Sequence, residues 1–239
     1  MGYKIISACD KNYFDFLKVL VKSAVINFPE ASIYVELVNM NEKNKTIIEN
    51  IGPKCEAEIV SIDFKNTNQL KCYCTNRRVD LFNKLRAVSD DILIWIDADS
   101  IIRRSCLELM GIISTHDVSA VVRPPPVASL RGGIIAINNT DEGNKFIKKY
   151  VKIMKPLNKW NKAKDTKKIQ SDPFTWECWM SNQNCLDALC RKKKDPKLNF
   201  AVLDNLYCDV HLKDEGYIWA AKNRLKTSPI YLGELKKYD

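Results

Sequence analysis

The chain has 239 residues, 46% of them apolar and 28% charged, the proportions of an ordinary soluble globular protein with volume for a proper core. No apolar run approaches the roughly 18 residues that span a bilayer, and the opening Met-Gly-Tyr-Lys-Ile-Ile breaks too soon for a signal peptide, so a cytoplasmic location is expected. The 38 Lys and Arg outweigh the 29 Asp and Glu by nine charges, but unevenly: residues 1–144 carry a net −1 and residues 145–239 a net +10.

Lys4–Ala8 reads as a short apolar strand. Tyr13–Phe28 follows as an amphipathic helix with Phe14, Leu17, Val21, Ala24 and Val25 on one side, stopped by Pro29. Ser32–Val38, rich in β-branched and aromatic residues, reads as a second strand. Lys43–Asn50 makes a short helix closed by Gly52-Pro53, and Glu58–Ile62 a third strand. This β-α-β-α-β order predicts a parallel, Rossmann-like sheet with right-handed crossovers. Arg77–Val88 reads as a helix feeding a strand at Ile92–Ile96.

Further on, Cys106–Ser114 reads as a helix, and Val118–Val122 as a strand broken by Pro124-Pro125-Pro126. Gly132–Asn138 reads as a strand opened by a flexible glycine pair. Lys145–Met154 is a helix, followed by a polar, lysine-rich loop to about Asp172. Trp176–Leu189 is helical, Phe200–Leu203 a short strand, and the tail from Tyr217 mixed. Neither an internal repeat nor a Gly/Ser linker occurs. The expected organisation is one domain, 1–239, with a nucleotide-type first half (1–103) and a more variable second half (104–239).

The positive excess lies in Lys145–Lys168 and Arg191–Lys194. In the first segment Phe146, Ile147, Tyr150, Val151 and Met154 recur at helical spacing, which makes its lysines the wet face of a helix. Basic residues interleaved with exposed aromatics, as a nucleic-acid groove requires, are not evident, so no nucleic-acid partner is expected. Attraction to anionic substrates, or weak peripheral contact with an anionic membrane surface, stays open. The nine cysteines are scattered, without a Cys-x-x-Cys pair, and the chain has two histidines. Free thiols in a reducing compartment are expected rather than zinc ligands.

The chemistry concentrates at Ile92–Ile102, which reads Ile-Leu-Ile-Trp-Ile-Asp-Ala-Asp-Ser-Ile-Ile. Five large apolar residues in a row suit a strand buried on both faces, as in the centre of a parallel sheet. Open α/β sheets bind ligands at the carboxyl ends of their strands. Asp97 and Asp99 would share one small volume there, and a divalent cation relieves their repulsion most simply. A cation held that way can bridge a diphosphate and stabilise it as a leaving group. The bland alternative is an acidic turn with nothing bound.

Several segments together resemble the GT-A glycosyltransferases that use nucleotide-sugar donors, and most closely their family 8-like, glycogenin-related branch. Ser7-Ala8-Cys9-Asp10-Lys11-Asn12-Tyr13 resembles the opening loop of that family, implying that Ala8, Cys9, Asp10 and Tyr13 hold the base and ribose. Asn76-Arg77-Arg78-Val79 is similar to the family's helix before the central strand, with Arg78 as its arginine. Ile94-Trp95-Ile96-Asp97-Ala98-Asp99-Ser100 is similar to its metal motif. Arg131-Gly132-Gly133-Ile134-Ile135-Ala136-Ile137-Asn138 resembles the acceptor-side strand, Asn182-Gln183-Asn184-Cys185-Leu186-Asp187 the segment near the reacting sugar, and Leu203-Asp204-Asn205-Leu206-Tyr207 the element after it.

The resemblance runs in order from about residue 4 to about residue 226. It implies a GT-A α/β fold, a mostly parallel mixed sheet flanked by helices, and transfer of a sugar from a nucleoside diphosphate sugar to a hydroxyl. A uridine diphosphate donor and a saccharide, glycolipid or glycoprotein acceptor are implied. The implied site comprises Asp97 and Asp99 on Mn²⁺ or Mg²⁺, Ala98 and Lys226 beside the diphosphate, and Arg131, Gly132 and Gly133 on the acceptor side. Asn182, Gln183 and Asp187 would stand near the reacting sugar.

Departures from the pattern matter as much. The family ends on His-x-x-Gly-x-x-Lys, its His being the third metal ligand. The matching Ala220-Ala221-Lys222-Asn223-Arg224-Leu225-Lys226 keeps only the lysine, which leaves two protein carboxylates for the metal or shifts the third ligand to His211 or water, and allows weak or absent metal dependence. Asn182 replaces an aspartate and Arg131 an asparagine. An inverting enzyme would need a carboxylate base, for which Asp172, Glu177 and Asp187 are the choices; the family implies retention. Competing readings are a nucleotidyltransferase, although Ser7–Tyr13 lacks the glycines of a triphosphate loop, and a non-catalytic nucleotide-sugar-binding module.

Overall fold

The protein is described here by a computed structural model covering residues 2–123, 130–192, 195–221 and 223–238. In chain order its elements are β1 (Tyr3–Cys9), α1 (Phe14–Asn27), β2 (Ala31–Val38), α2 (Glu42–Glu49), β3 (Cys55–Val60), α3 (Thr67–Arg86), β4 (Ile92–Ile96), β5 (Ser100–Ile102) and α4 (Leu107–Ser114). They continue as β6 (Val118–Val122), β7 (Leu130–Ile137), α5 (Asp141–Leu157), α6 (Pro173–Asp187), β8 (Phe200–Leu203), β9 (Ile218–Ala220) and α7 (Pro229–Leu235). Pro124–Pro126, Lys193-Lys194 and Lys222 lie outside the described residues.

The main sheet runs β3-β2-β1-β4-β7-β6-β8. Its first four strands are parallel; β7 is antiparallel to both β4 and β6, and β8 returns parallel to β6. This is the mixed, mostly parallel sheet of a Rossmann-like GT-A architecture. Chain order reverses across β1 and β4, so the crevice that such a reversal leaves lies at their carboxyl ends. There stand Cys9-Asp10 and Asp97-Ala98-Asp99.

The continuous apolar run of β4 serves both faces of the sheet. Ile92, Ile94 and Ile96 pack with Ile5, Ile33 and Val35 against Leu17, Leu20, Val21 and Ala24 of α1. Leu93 and Trp95 pack with Ile6, Ile135 and Ile137 against Val79 and Phe82 of α3, Phe146 and Tyr150 of α5, and Leu186 of α6. Each such side chain contributes about 1.5–3 kcal/mol when fully buried. In α5, Phe146, Ile147, Tyr150 and Met154 are buried while Lys145, Lys148, Lys149 and Lys152 are exposed, so its lysines do form a solvated face.

Boundaries differ from the sequence reading where polar residues do the packing. Helix α3 starts at Thr67, ten residues before Arg77, because its first half buries amides instead of apolar groups. Asn66 caps it by accepting from the Gln69 N–H at 3.0 Å. Asn68 donates to the Lys164 and Thr166 carbonyls, both at 2.9 Å, and Gln69 to that of Asn161 at 2.8 Å. Strand β3 spans Cys55–Val60 rather than Glu58–Ile62, in register Ile33↔Cys55 to Val38↔Val60. The glycine pair sits inside β7 rather than opening it. Helix α5 begins at Asp141, where Thr140 accepts from the Gly143 N–H at 3.0 Å. The mixed tail resolves into β9, which pairs with β5, and α7.

A buried ion pair braces the first half. Glu36, in register with Ala8 and wholly buried, accepts from Arg77 Nε at 2.7 Å and Nη2 at 2.8 Å. Breaking one partner of such a pair costs about 3–5 kcal/mol, whereas replacing both by apolar residues is nearly neutral. Arg77→Met is therefore expected to lower stability by about 3 kcal/mol and Glu36→Leu/Arg77→Met by clearly less. Urea unfolding midpoints check this; an additive loss in the double variant would show that the pair is not the source.

Candidate active site

β4 ends at Ile96 because the chain turns: Ser100 N–H donates to the Asp97 carbonyl at 3.0 Å, and the chain re-enters as β5. Both carboxylates of the motif thus lie on a tight turn between two buried strands. Asp97 Oδ1 accepts from Trp95 Nε1 at 2.9 Å and lies 3.3 Å from Arg78 Nη2. Arg78 reaches it from α3, donating also to the Gly132 carbonyl and, through Nε at 3.1 Å, to that of Thr75. Its guanidinium stands 5.0 Å from the centroid of the Trp95 ring.

Asp99 is 6% exposed, and its Oδ2 is 2.7 Å from Lys226 Nζ. That ammonium stands 4.2 Å from the centroid of the Tyr13 ring and 5.4 Å from that of Phe16, distances at which a cation is drawn to a ring face. Tyr231, on α7, donates its hydroxyl to the Asp99 carbonyl at 2.8 Å. The structure therefore brings Asp97, Asp99, Arg78, Tyr13 and Lys226 together from four separate stretches of chain.

The glycine pair is required by close approach. A Cβ on Gly132 would collide with Arg78 Nη1, and one on Gly133 would stand 2.7 Å from Cys208 Sγ and 3.5 Å from Asp97 Oδ2. Asp97 N–H donates to the Gly133 carbonyl at 3.0 Å, so β7 abuts the acidic turn. Gln183 lies beside it: its Cγ would be 3.2 Å from a Gly132 Cβ, and its Oε1 accepts from Arg123 Nη2 at 2.7 Å. Arg131 Nη1 donates to the Cys208 carbonyl at 2.9 Å.

Other residues singled out in the sequence are placed as follows. Asn182 is wholly buried and donates to Asn76 Oδ1 at 2.8 Å, joining α6 to α3. Asp187 is held by Arg191 at 3.1 Å and Lys192 at 3.4 Å. Asp172 caps α6, accepting from Thr175 N at 2.8 Å and Oγ1 at 2.7 Å, and these bonds hold its carboxyl below the usual range. Glu177 is exposed. Asp10 caps a short 3₁₀ turn by accepting from Asn12 N at 2.9 Å. Ala8, Cys9 and Ala98 are buried, and burial pushes the Cys9 thiol well up.

Among the described residues, no group of three or more His, Cys, Asp or Glu side chains is placed to hold a metal ion. His211 is exposed and does not join the two aspartates. Ala220 lies directly across the β5–β9 ladder from Ser100, the residue after Asp99, and its methyl group has no lone pair to offer. Asp97 and Asp99 remain as two hard oxygen donors. That set suits Mg²⁺ or Mn²⁺, which bind through one or two carboxylates and fill their remaining positions with water and phosphate oxygens.

Four site residues escaped the sequence reading: Trp95, whose indole fixes Asp97; Arg123, bonded to Gln183; Cys208, packed on Gly133; and Tyr231 behind Asp99. Trp95 had a signal, since a tryptophan in a buried strand needs a partner for its N–H. The others lie in segments without a periodic pattern.

The fold is shared with solved structures of low sequence identity. The galactosyltransferase LgtC, in complex with donor and acceptor sugar analogues, superposes with a TM-score of 0.61 at 13% identity over 98% of this chain and 95% of that one. The glycosyltransferase GlyE of Streptococcus pneumoniae TIGR4 does so with a TM-score of 0.57 at 13% identity, over 94% of this chain but 55% of that one. Mouse xyloside xylosyltransferase 1 matches with a TM-score of 0.57 at 12% identity, over 94% and 99%. No curated protein matches the chain in sequence. Residues 4–180, which carry the acidic turn, Arg78 and the glycine pair but stop short of Gln183 and Lys226, match the model of glycosyl transferase family 8, and the chain belongs to that family of glycosyltransferases.

Proposed function

We propose that the protein transfers a sugar from a uridine diphosphate sugar to a hydroxyl of a saccharide, glycolipid or glycoprotein acceptor. The observation that carries this reading is the meeting of Asp97 with Arg78, and of Asp99 with Lys226 and Tyr13, at the carboxyl ends of β1 and β4. Two cations and two carboxylates in one partly buried turn suit a diphosphate whose charge grows as it leaves. Lys226 supplies a positive charge at that point, and Tyr13 bounds it with an apolar face. Arg78 stays on Asp97 and the Gly132 carbonyl, fixing the turn against the acceptor-side strand. Gln183 sets an amide at the edge of that strand, oriented by Arg123. A divalent cation, Mn²⁺ or Mg²⁺, would be held by Asp97 and Asp99 and would supply Lewis-acid stabilisation of the departing diphosphate. Asp172, Glu177 and Asp187 are each capping, exposed or ion-paired, which favours the retaining course over one that needs a protein base.

A thermal-shift screen tests the donor. Saturating UDP at a hundred times Kd stabilises a native-state binder by about 2.7 kcal/mol, or ~5–10 °C in a chain of this size. A full panel of nucleotide sugars that neither shifts Tm nor is hydrolysed removes the reading. Asp99→Ala is expected to cut transfer at least a hundredfold and to abolish the metal-dependent part of UDP affinity. UDP affinity in that variant equal to wild type, with and without Mn²⁺, removes the metal role.

Gly132→Ala drives a methyl group into the Arg78 guanidinium. The overpacking costs about 1–3 kcal/mol, and transfer is expected to fall at least tenfold. Wild-type rates in a folded Gly132→Ala protein would show that the Arg78 contact does not shape the site.

A further inference from the structure

Among the described residues, two arginines beside the glycine pair, Arg123 and Arg131, make no ion pair. Arg123 follows β6 and Arg131 lies on β7, and the two strands meet there through Val122↔Leu130, next to a register shift. Their recorded partners are neutral: the Gln183 side-chain oxygen for Arg123 and the Cys208 carbonyl for Arg131. Among the described residues neither guanidinium pairs with a carboxylate, and Nε of Arg131 is buried without a hydrogen-bond partner. Residues 124–129, between them, read Pro-Pro-Pro-Val-Ala-Ser and contain no acid. Burial, and then the charge of Arg131, holds Arg123 below its usual range.

Arg131 borders an open space near the acidic turn. Arg131 lines a hollow of about 240 Å³ with Asn205, Asp209, His211 and Lys213. Its one carboxylate, Asp209, is turned to the backbone, accepting from His211 N at 2.8 Å and Lys213 N at 2.6 Å. Between those residues Leu212 adopts φ 58°, a left-handed conformation that costs a non-glycine residue roughly 1–2 kcal/mol. Its side chain is buried with Trp219 and Tyr231, which holds the strained loop in place. Cys208, also in the lining, packs on Gly133, and Gly133 abuts Asp97. Through Cys208 and Gly133 the hollow therefore adjoins the Asp97 end of the acidic turn.

The two like charges lie close enough to repel one another. An anion relieves that repulsion, and the planar guanidinium fork matches phosphate and carboxylate oxygens. We propose that the acceptor carries an anionic group, a phosphate or a carboxylate, which Arg131 binds at the hollow beside Gly133, with the charge of Arg123 adding to the attraction. This rests on the glycosyltransferase reading above and names the acceptor class that reading leaves open.

Calorimetry on the full chain saturated with UDP tests it, using glucose 6-phosphate, glucuronic acid and glucose as probes. At least one anionic sugar is expected to bind tenfold or more tighter than glucose, and whichever does identifies the anion. Arg131→Gln is expected to weaken that binding at least tenfold and Arg123→Gln by less, and Arg131→Lys to restore part of it. Equal affinity for the three probes in the wild-type protein overturns the proposal. So does anion binding that survives both glutamine variants, or that UDP displaces, or a parallel loss of UDP affinity, which would reassign the arginines to the donor diphosphate. Failure of UDP itself to bind the wild-type chain is a failure of the donor reading, and the anion preference is then still decided by titration without it.

Discussion

The guanidinium of Arg78 ties together the parts on which the site depends. With a side chain only 4% exposed, it joins α3 to the turn after β4 through Asp97 and to β7 through the Gly132 carbonyl. A buried charge of this kind is tolerable only when its donors are occupied. The carboxylate, two carbonyls and the Trp95 ring face meet that demand. The demand runs outward through the chain: Gly132 must lack a side chain, Trp95 must hold the other flank of Asp97, and α3 must extend far enough to deliver residue 78.

The opposite flank is assembled by the end of the chain. Strand β9 pairs with β5 immediately after the acidic turn, and α7 brings Tyr231 behind the Asp99 carbonyl. Lys226, between them, is thereby aimed at Asp99 and laid over Tyr13. The second half of the site is thus built from residues more than 120 positions from the motif they complete. The same ladder sets Ala220 beside the turn, where the resemblance to the family calls for a histidine. The carboxylate pair therefore works with a lysine neighbour and without an imidazole.

What the sequence disclosed, and what it hid, follows from how each element is buried. Strands β1, β2 and β4 are legible because both their faces are apolar, and the order of helices between them implies the parallel half of the sheet. The start of β3 was misplaced by three residues because Cys55-Glu56-Ala57-Glu58 alternates at the sheet edge, where Glu58 is bound by Tyr34 and Lys84. Half of α3 was missed because Asn68, Gln69 and Asn76 are buried through hydrogen bonds, and a hydrophobic pattern is blind to amide packing. The glycines of β7 suggested a loose strand opening, whereas they mark contacts that only a hydrogen atom can occupy. Asp97 and Asp99 were legible from the strand they end. Their partners were legible only in part: Arg78, Tyr13 and Lys226 through likeness to a family, and Arg123 and Tyr231 not at all, since nothing local to those residues signals what they touch.

Arg77 and Arg78 are adjacent in sequence yet serve opposite strands. Arg77 grips Glu36 on β2 and Arg78 grips Asp97 after β4, while β1 runs between those two strands. One turn of one helix therefore ties together two strand ends that lie on either side of β1, and neither arginine can shift without pulling on the strand that its neighbour holds.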